Sequence, residues 1–179
     1  AWQKFIEVAR IMAGLELNMD ESKRIVADFR RSNPRIVDLW YRLHDACAAK
    51  DGGHFALPLP CTQHDPALKR YLIYRDVAVR DEQITCTVGG QRIHVYGGLL
   101  AENWTQATAR DVLASAWLRC ACAGFVPILS VHDELVFELP EATASQDLAR
   151  IIQIMESPVP WALHLPLRVE GKLTNTYTK

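Results

Sequence analysis

A chain of 179 residues with 49% apolar and 23% charged side chains has the size of one globular domain or one and a half, and enough apolar material for a core, which argues against disorder. No run of eighteen or so uninterrupted apolar residues occurs, so no membrane span is expected. Its 20 basic and 21 acidic residues leave a net charge of −1. A free-standing nucleic-acid binder usually carries a basic excess, so either the chain does not hold nucleic acid by itself or a partner supplies most of the positive charge.

The start, Ala1-Trp2-Gln3-Lys4-Phe5, lacks Met and is no signal peptide, and we read the chain as excised, processed or truncated. Residues 2–13 carry Phe5, Ile6, Val8, Ala9 and Met12 near a 3.6-residue period, which predicts a helix stopped by Gly14. Asn18 or Asp20 can cap a second helix through Ile25, Val26 and Phe29, ending at Ser32-Asn33-Pro34. Asn33 as N-cap and Pro34 as first residue then open a third, with Ile36, Val37, Leu39, Trp40, Leu43 and Cys47 on one broad face and Asp51-Gly52-Gly53 as its end.

From residue 55 to 95 the pattern is one of short extended runs. Pro58 and Pro60 point to an edge or irregular piece. Residues 68–79 and 83–88 read as strands, and Gly89-Gly90 as a tight hairpin leading into residues 91–96. Gly97-Gly98 reads as a break, followed by one long helix over 99–123 with Leu100, Trp104, Val112, Leu113, Ala116 and Trp117 as its apolar set. Asn103, Gln106 and Arg110 fall at i, i+3 and i+7, along one face of that helix.

After Gly124, residues 126–131 and 135–139 read as two strands hinged on a polar tip, His132-Asp133-Glu134. Residues 141–155 form an amphipathic helix with Leu148, Ile151, Ile152 and Met155 inward, and 165–170 read as a last strand. No regular βαβ series is present, so the fold class is α+β. The five cysteines, Cys47, Cys61, Cys86, Cys120 and Cys122, contain no Cys-x-x-Cys pair, which favours reduced thiols in a cytoplasmic compartment over zinc or disulfides.

An Asp-Glu pair at a hairpin tip suits a hard cation such as Mg²⁺, which takes oxygen ligands and shares its shell with phosphates. Two-metal nucleotidyl transfer needs carboxylates from at least two places, bridging ions roughly 3.5–4 Å apart. Taken as a bare tripeptide, His132-Asp133-Glu134 is no more than a polar turn. Its flanks are more specific: Val131-His132-Asp133-Glu134-Leu135-Val136-Phe137-Glu138 resembles motif C of the family A DNA polymerases, the bacterial polymerase I type.

Other pieces of the same likeness follow in order. Gly97-Gly98 and then Glu102-Asn103-Trp104-Thr105-Gln106-Ala107-Thr108-Ala109-Arg110-Asp111 resembles the palm helix before motif C, above all in bacteriophage members. Pro160-Trp161-Ala162, Leu165-Pro166-Leu167, Val169-Glu170-Gly171 and Tyr177 are similar to the C-terminus of those phage enzymes, and residues 1–50 to the fingers helices after the nucleotide-binding helix. The resemblance implies fingers-derived helices and a ribbon over 1–96, and a palm portion with the motif C hairpin over 97–179. It makes Asp133 the metal-binding aspartate, Glu134 its acidic neighbour, and His132 a residue near the primer 3′ end. Gln106 and Asn103 would touch the primer–template minor groove, with Arg110 on the same face. Amide donors suit that groove, whose acceptors are nearly degenerate among base pairs, because they test pairing geometry without reading sequence.

Motif A, an aspartate in a form like Asp-x-Ser-x-x-Glu on a strand, is not found. Motif B, a helix with Lys and Tyr-Gly that holds the dNTP, is not found either; Ala1-Trp2 falls just after where it would end. The resemblance therefore implies a C-terminal fragment or split subunit, inactive alone and dependent on a second polypeptide or N-terminal segment that carries motifs A and B. The competing reading is a non-catalytic DNA- or protein-binding module that keeps a palm fold. A metal-dependent hydrolase built on His132 and Asp133 is disfavoured, since His44, His54, His64, His94 and His164 lack ligand-like spacing.

Overall fold

A computed structural model of the chain describes residues 2–177; Ala1, Thr178 and Lys179, and with Ala1 the expectation about how the chain begins, lie outside the described residues. The elements run α1 (Trp2–Ala13), α2 (Met19–Ser32), α3 (Pro34–Ala48), β1 (Phe55–Pro58), α4 (Pro60–His64), β2 (Tyr71–Arg80), β3 (Gln83–Val88), β4 (Gln91–Val95), α5 (Gly97–Cys122), β5 (Leu129–Val131), β6 (Glu134–Val136) and α6 (Ala144–Met155). A 3₁₀ turn, Pro66–Leu68, lies between α4 and β2. The class is α+β, as expected. Contacts divide the chain into two units, Ala1–Phe55 with Tyr74–Ala101, and Ala56–Ile73 with Glu102–Lys179.

In the first unit Gly14 ends α1 as its sequence demands: at φ +64° its N–H donates to Arg10 O at 3.1 Å, a left-handed turn that glycine makes without strain. Asn18, not Asp20, caps α2. Its side chain accepts from Glu21 N at 2.9 Å, while the Glu21 carboxylate accepts from the Asn18 N–H at 2.9 Å, a reciprocal capping box. Replacing Asn18 with alanine is expected to cost about 1 kcal/mol, read as a lowered urea midpoint with unchanged slope. Asn33 stands at the N-cap of α3 without a side-chain bond there; its amide instead donates to Phe29 O at 2.8 Å and closes α2. Pro34 needs no donor satisfied, so α3 starts without one.

Strands β2, β3 and β4 run antiparallel, and the four-stranded order β1-β2-β3-β4 leaves β1 with Pro58 at an edge, as the prolines foretold. The Gly89-Gly90 hairpin forms as predicted, both residues having positive φ. A second tight turn went unsignalled: Asp81 and Glu82, at φ +48° and +62°, join Arg80 to Gln83 without any glycine. Between Arg75 and Ala78 the register shifts at a bulge, where Asp76 (φ +50°) donates its N–H to His54 Nδ1 at 3.1 Å. Val77 there exchanges 2.8 Å backbone bonds with Gly52 and Gly53. Leu43, Cys47, Phe55, Tyr74, Val77, Ile84, Cys86, Val95 and Leu100 are the larger buried side chains of this unit.

The second unit corrects several expectations. Residues 59–70 are not extended, since α4 and the 3₁₀ turn occupy them, and Lys69 at φ +49° delays the following strand to Tyr71. Thr62 fixes that turn through Oγ1, which accepts from Arg70 N at 2.6 Å and donates to Arg70 O at 2.8 Å. Helix α6 starts at Ala144, three residues later than the apolar pattern implies, because Pro140 opens a turn closed by Thr143 N to Pro140 O at 3.1 Å. Residues 165–170 form no strand among the described residues. No neighbouring strand satisfies their backbone; Val169 N donates to Glu156 Oε1 at 3.1 Å, and Gly171 lies against Leu148 and Ile152.

Cys47, Cys61, Cys86 and Cys120 are buried and Cys122 is exposed, all as free thiols. Cys120 and Cys122, two apart on α5, face different sides of it. Burial, with Cys86 nearby, pushes the Cys47 thiol from 9.0 up to about 11. Folding favours its protonated form, so its contribution to stability is present below pH 9.0 and is lost as pH rises toward 11. A thiol reagent at pH 8 is expected to modify Cys122 rapidly and the other four only after denaturant is added, followed by chromophore release.

Candidate metal-binding hairpin

The hairpin is tighter than its sequence implies. Leu129 pairs with Val136, Ser130 with Leu135 and Val131 with Glu134, so Glu134 belongs to β6 and the turn is the two residues His132-Asp133. His132 takes φ +53°, the left-handed region that a two-residue turn requires. The strands are also shorter than predicted. Beyond them one further bond, Ile128 N to Val136 O at 2.8 Å, extends the pairing, and Pro127 has no N–H to add.

This geometry sets apart the three polar residues that the sequence groups together. Asp133 is exposed at the turn and has no hydrogen-bond or ion-pair partner among the described residues, so both carboxylate oxygens face water. Glu134 is exposed on the strand, and its Oε2 accepts from Tyr177 OH at 3.0 Å. That bond to a carboxylate raises the Tyr177 phenol above its usual range. His132 is exposed beside Asp133. The acids are placed by strand register, not by burial.

Helix α5 carries the other candidates. It begins at Gly97, so the glycine pair is the first helical turn and not a break. Asn103 is half-buried; Gln106 and Arg110 are exposed, and the Gln106 amide reaches Glu102 Oε1 at 3.4 Å. Neither Gln106 nor Arg110 is hydrogen-bonded or ion-paired to the hairpin among the described residues. The next residue, Asp111, is given no role by the sequence. It accepts from Arg70 Nη2 at 2.8 Å and from the buried Cys61 Sγ at 3.2 Å, which locks the segment before β2 onto α5. The partners are 41 and 50 residues distant, and no local pattern announces them. Arg119, further along α5, donates to Ile154 O and Ser157 O at the end of α6, adding side-chain donors to carbonyls of the helix terminus.

A hard cation needs six or more oxygen ligands, some of them water. No group of three or more His, Cys, Asp or Glu that could hold a metal ion occurs among the described residues. The hairpin offers two carboxylates, Asp133 with no partner among the described residues and Glu134 bonded to Tyr177, fewer oxygen ligands than such a cation takes. No helix of the described residues is long and apolar enough to cross a membrane.

The chain is 42% identical over 191 aligned positions to a protein of Bacillus phage SP02 named DNA polymerase. The match covers 94% of this chain, which spans only 29% of the length of that relative. The likeness is thus to part of a phage DNA polymerase. No family model matches the chain, and no solved structure does.

Proposed function

We propose that this chain is a C-terminal portion of a family A DNA polymerase of the phage type and that its hairpin is motif C. In this reading residues 1–96 are fingers-derived and 97–179 belong to the palm, a functional division distinct from the two contact units. One observation carries it: an unpartnered aspartate at the turn of a two-strand hairpin, in a chain 42% identical to part of a phage DNA polymerase.

Asp133 is the metal-binding carboxylate and Glu134 its acidic neighbour. A bound Mg²⁺ would stabilise charge on the dNTP phosphates and sharpen the primer hydroxyl as a nucleophile. The chain's own contribution is positioning. The hydrogen-bonded hairpin holds Asp133 at a fixed turn, and the Tyr177 hydroxyl holds Glu134 by donating to its Oε2. His132 lies next to the primer end, while Gln106, Asn103 and Arg110 meet the primer–template duplex along one face of α5. The remaining carboxylate and the dNTP-binding helix, motifs A and B, come from a second polypeptide or from chain beyond these 179 residues. The 179 residues alone do not polymerise, and the assembly works in the cytoplasm.

The test is reconstitution. Mixing the chain with a polypeptide that carries motifs A and B should give Mg²⁺-dependent primer extension that neither component shows alone. Binding of DNA without any turnover, whatever the partner, would favour the non-catalytic module instead.

A further inference from the structure

We propose that the chain after α6 is a strap that holds the hairpin in place, with Tyr177 as its latch and as a positioning residue for Asp133. Among the described residues, 156–177 contain neither helix nor strand. Stretches longer than about 12–15 residues without secondary structure are uncommon in compact domains, and lids and binding loops account for many of them.

The hairpin needs outside support. Its strands, Leu129–Val131 and Glu134–Val136, form a two-stranded sheet, an arrangement that is marginal by itself. Its turn has no glycine and holds His132 at φ +53°, so the short ladder has to contain the strain of a left-handed residue.

The strap is fastened at its root, its middle and its end. At the root, Arg119 on α5 donates to Ser157 O at 3.1 Å, and Val159 is fully buried. In the middle, Val169 N donates to Glu156 Oε1 at 3.1 Å. Gly171 then crosses α6 so closely that a Cβ there would stand 2.7 Å from Leu148 Cδ1 and 2.9 Å from Ile152 Cδ1. At the end, the Tyr177 hydroxyl donates to Glu134 Oε2 at 3.0 Å, a bond strengthened by the charge of the carboxylate. Residues 172–176 are exposed, and Tyr177 is itself 48% exposed. The fastening thus weakens outward from α6, and the latch is the part that opens without disturbing the rest.

Glu134 is joined to Asp133 by one peptide bond and pairs with Val131 across the turn. Fixing its side chain therefore fixes the strand end from which the Asp133 turn springs. Tyr177 acts on Asp133 through Glu134, and the strap carries the position of α6 to the hairpin. The positioning role rests on the polymerase reading; the strap itself does not.

The experiment compares the 179-residue chain with its Tyr177→Phe variant by amide hydrogen exchange followed by NMR in EDTA, together with urea unfolding. Phenylalanine keeps the ring and removes the hydroxyl donor. The bonded amides of β5 and β6 should exchange about fivefold or more faster in the variant, while those of α5 and α6, and the urea midpoint, stay as in the parent. In a mixture that extends primers the variant should lower kcat about fivefold and leave the KM for dNTP within about twofold. Equal hairpin exchange in the two chains would overturn the strap, as would faster exchange spread equally over α5 and α6. Faster hairpin exchange with an unchanged kcat would overturn the positioning role. Exchange needs no partner chain, so a lack of extension with any partner would sink the polymerase reading and leave the strap standing.

Discussion

Replacing Gly97 with alanine is expected to destabilise the first unit by about 3 kcal/mol or more, at the upper end of what overpacking costs. The added Cβ would lie 1.8 Å from Trp40 O, 2.6 Å from its carbonyl carbon and 3.0 Å from its Cα. All three are backbone atoms of α3, so no rotamer change relieves the contact, and the two helices must move apart. The opposing effect is small. Alanine in a helix is favoured over glycine by about 1 kcal/mol, less than a backbone clash of this depth costs. Gly98→Ala is the informative comparison. There the Cβ meets only the edge of the Tyr96 ring at 3.0 Å, and a ring can swing aside. Urea unfolding should therefore show a large drop in midpoint for Gly97→Ala and a small change of either sign for Gly98→Ala. Equal midpoints for the two variants would mean that α5 does not begin against Trp40.

The same glycine pair shows where sequence reasoning succeeds and where it stops. Gly-Gly is a punctuation signal in one dimension, and by that rule Gly97-Gly98 reads as a break. In three dimensions the pair serves close approach, and the contact responsible, Trp40, is distant in sequence. Features set by neighbouring residues were legible: the Gly14 stop, the cap at the start of α2, Pro34 opening α3, the Gly89-Gly90 hairpin and the long helix α5. Features set by distant partners were not. The Asp81-Glu82 turn carries no glycine to announce it, its backbone being set by the pairing of β2 with β3, and α4 occupies residues 60–64 where the prolines pointed to an edge or irregular piece. Residues 165–170 alternate like a strand, yet a strand exists only when another pairs with it.

At the candidate site the split is similar. The residues of the hairpin and their order were plain from the apolar runs on either side. Register was not, because a shift of one residue decides whether Glu134 belongs to the turn or the strand, and only cross-strand pairing fixes that. The bond from Tyr177 to Glu134 spans 43 residues and leaves no local trace. Asp133 and Glu134 look equivalent in the sequence. In the fold one is free and the other is bonded.

That difference leads to the second large effect. In an assembly that extends primers, Asp133→Ala is expected to lower the rate by about 10³-fold or more, the consequence of losing several kcal/mol of charge stabilisation when a metal loses its carboxylate. Stability should barely change, since Asp133 is exposed and partners no described residue. Glu134→Gln should be far milder, because an amide can still accept from the Tyr177 hydroxyl. It should also let the Tyr177 phenol titrate at lower pH, since the bond that raises it would then run to a neutral amide instead of a carboxylate. A purely structural hairpin predicts the reverse ranking, with Glu134 the costlier loss.

The central claim is that the chain brings a metal-binding aspartate to a polymerase site it does not complete by itself. It is tested most directly by single-nucleotide incorporation in Mg²⁺, with the parent chain or its Asp133→Ala variant mixed with a partner polypeptide carrying motifs A and B. The account predicts incorporation by the parent mixture only, with the variant still co-purifying with the partner. Incorporation by the Asp133→Ala mixture at the parent rate would contradict it.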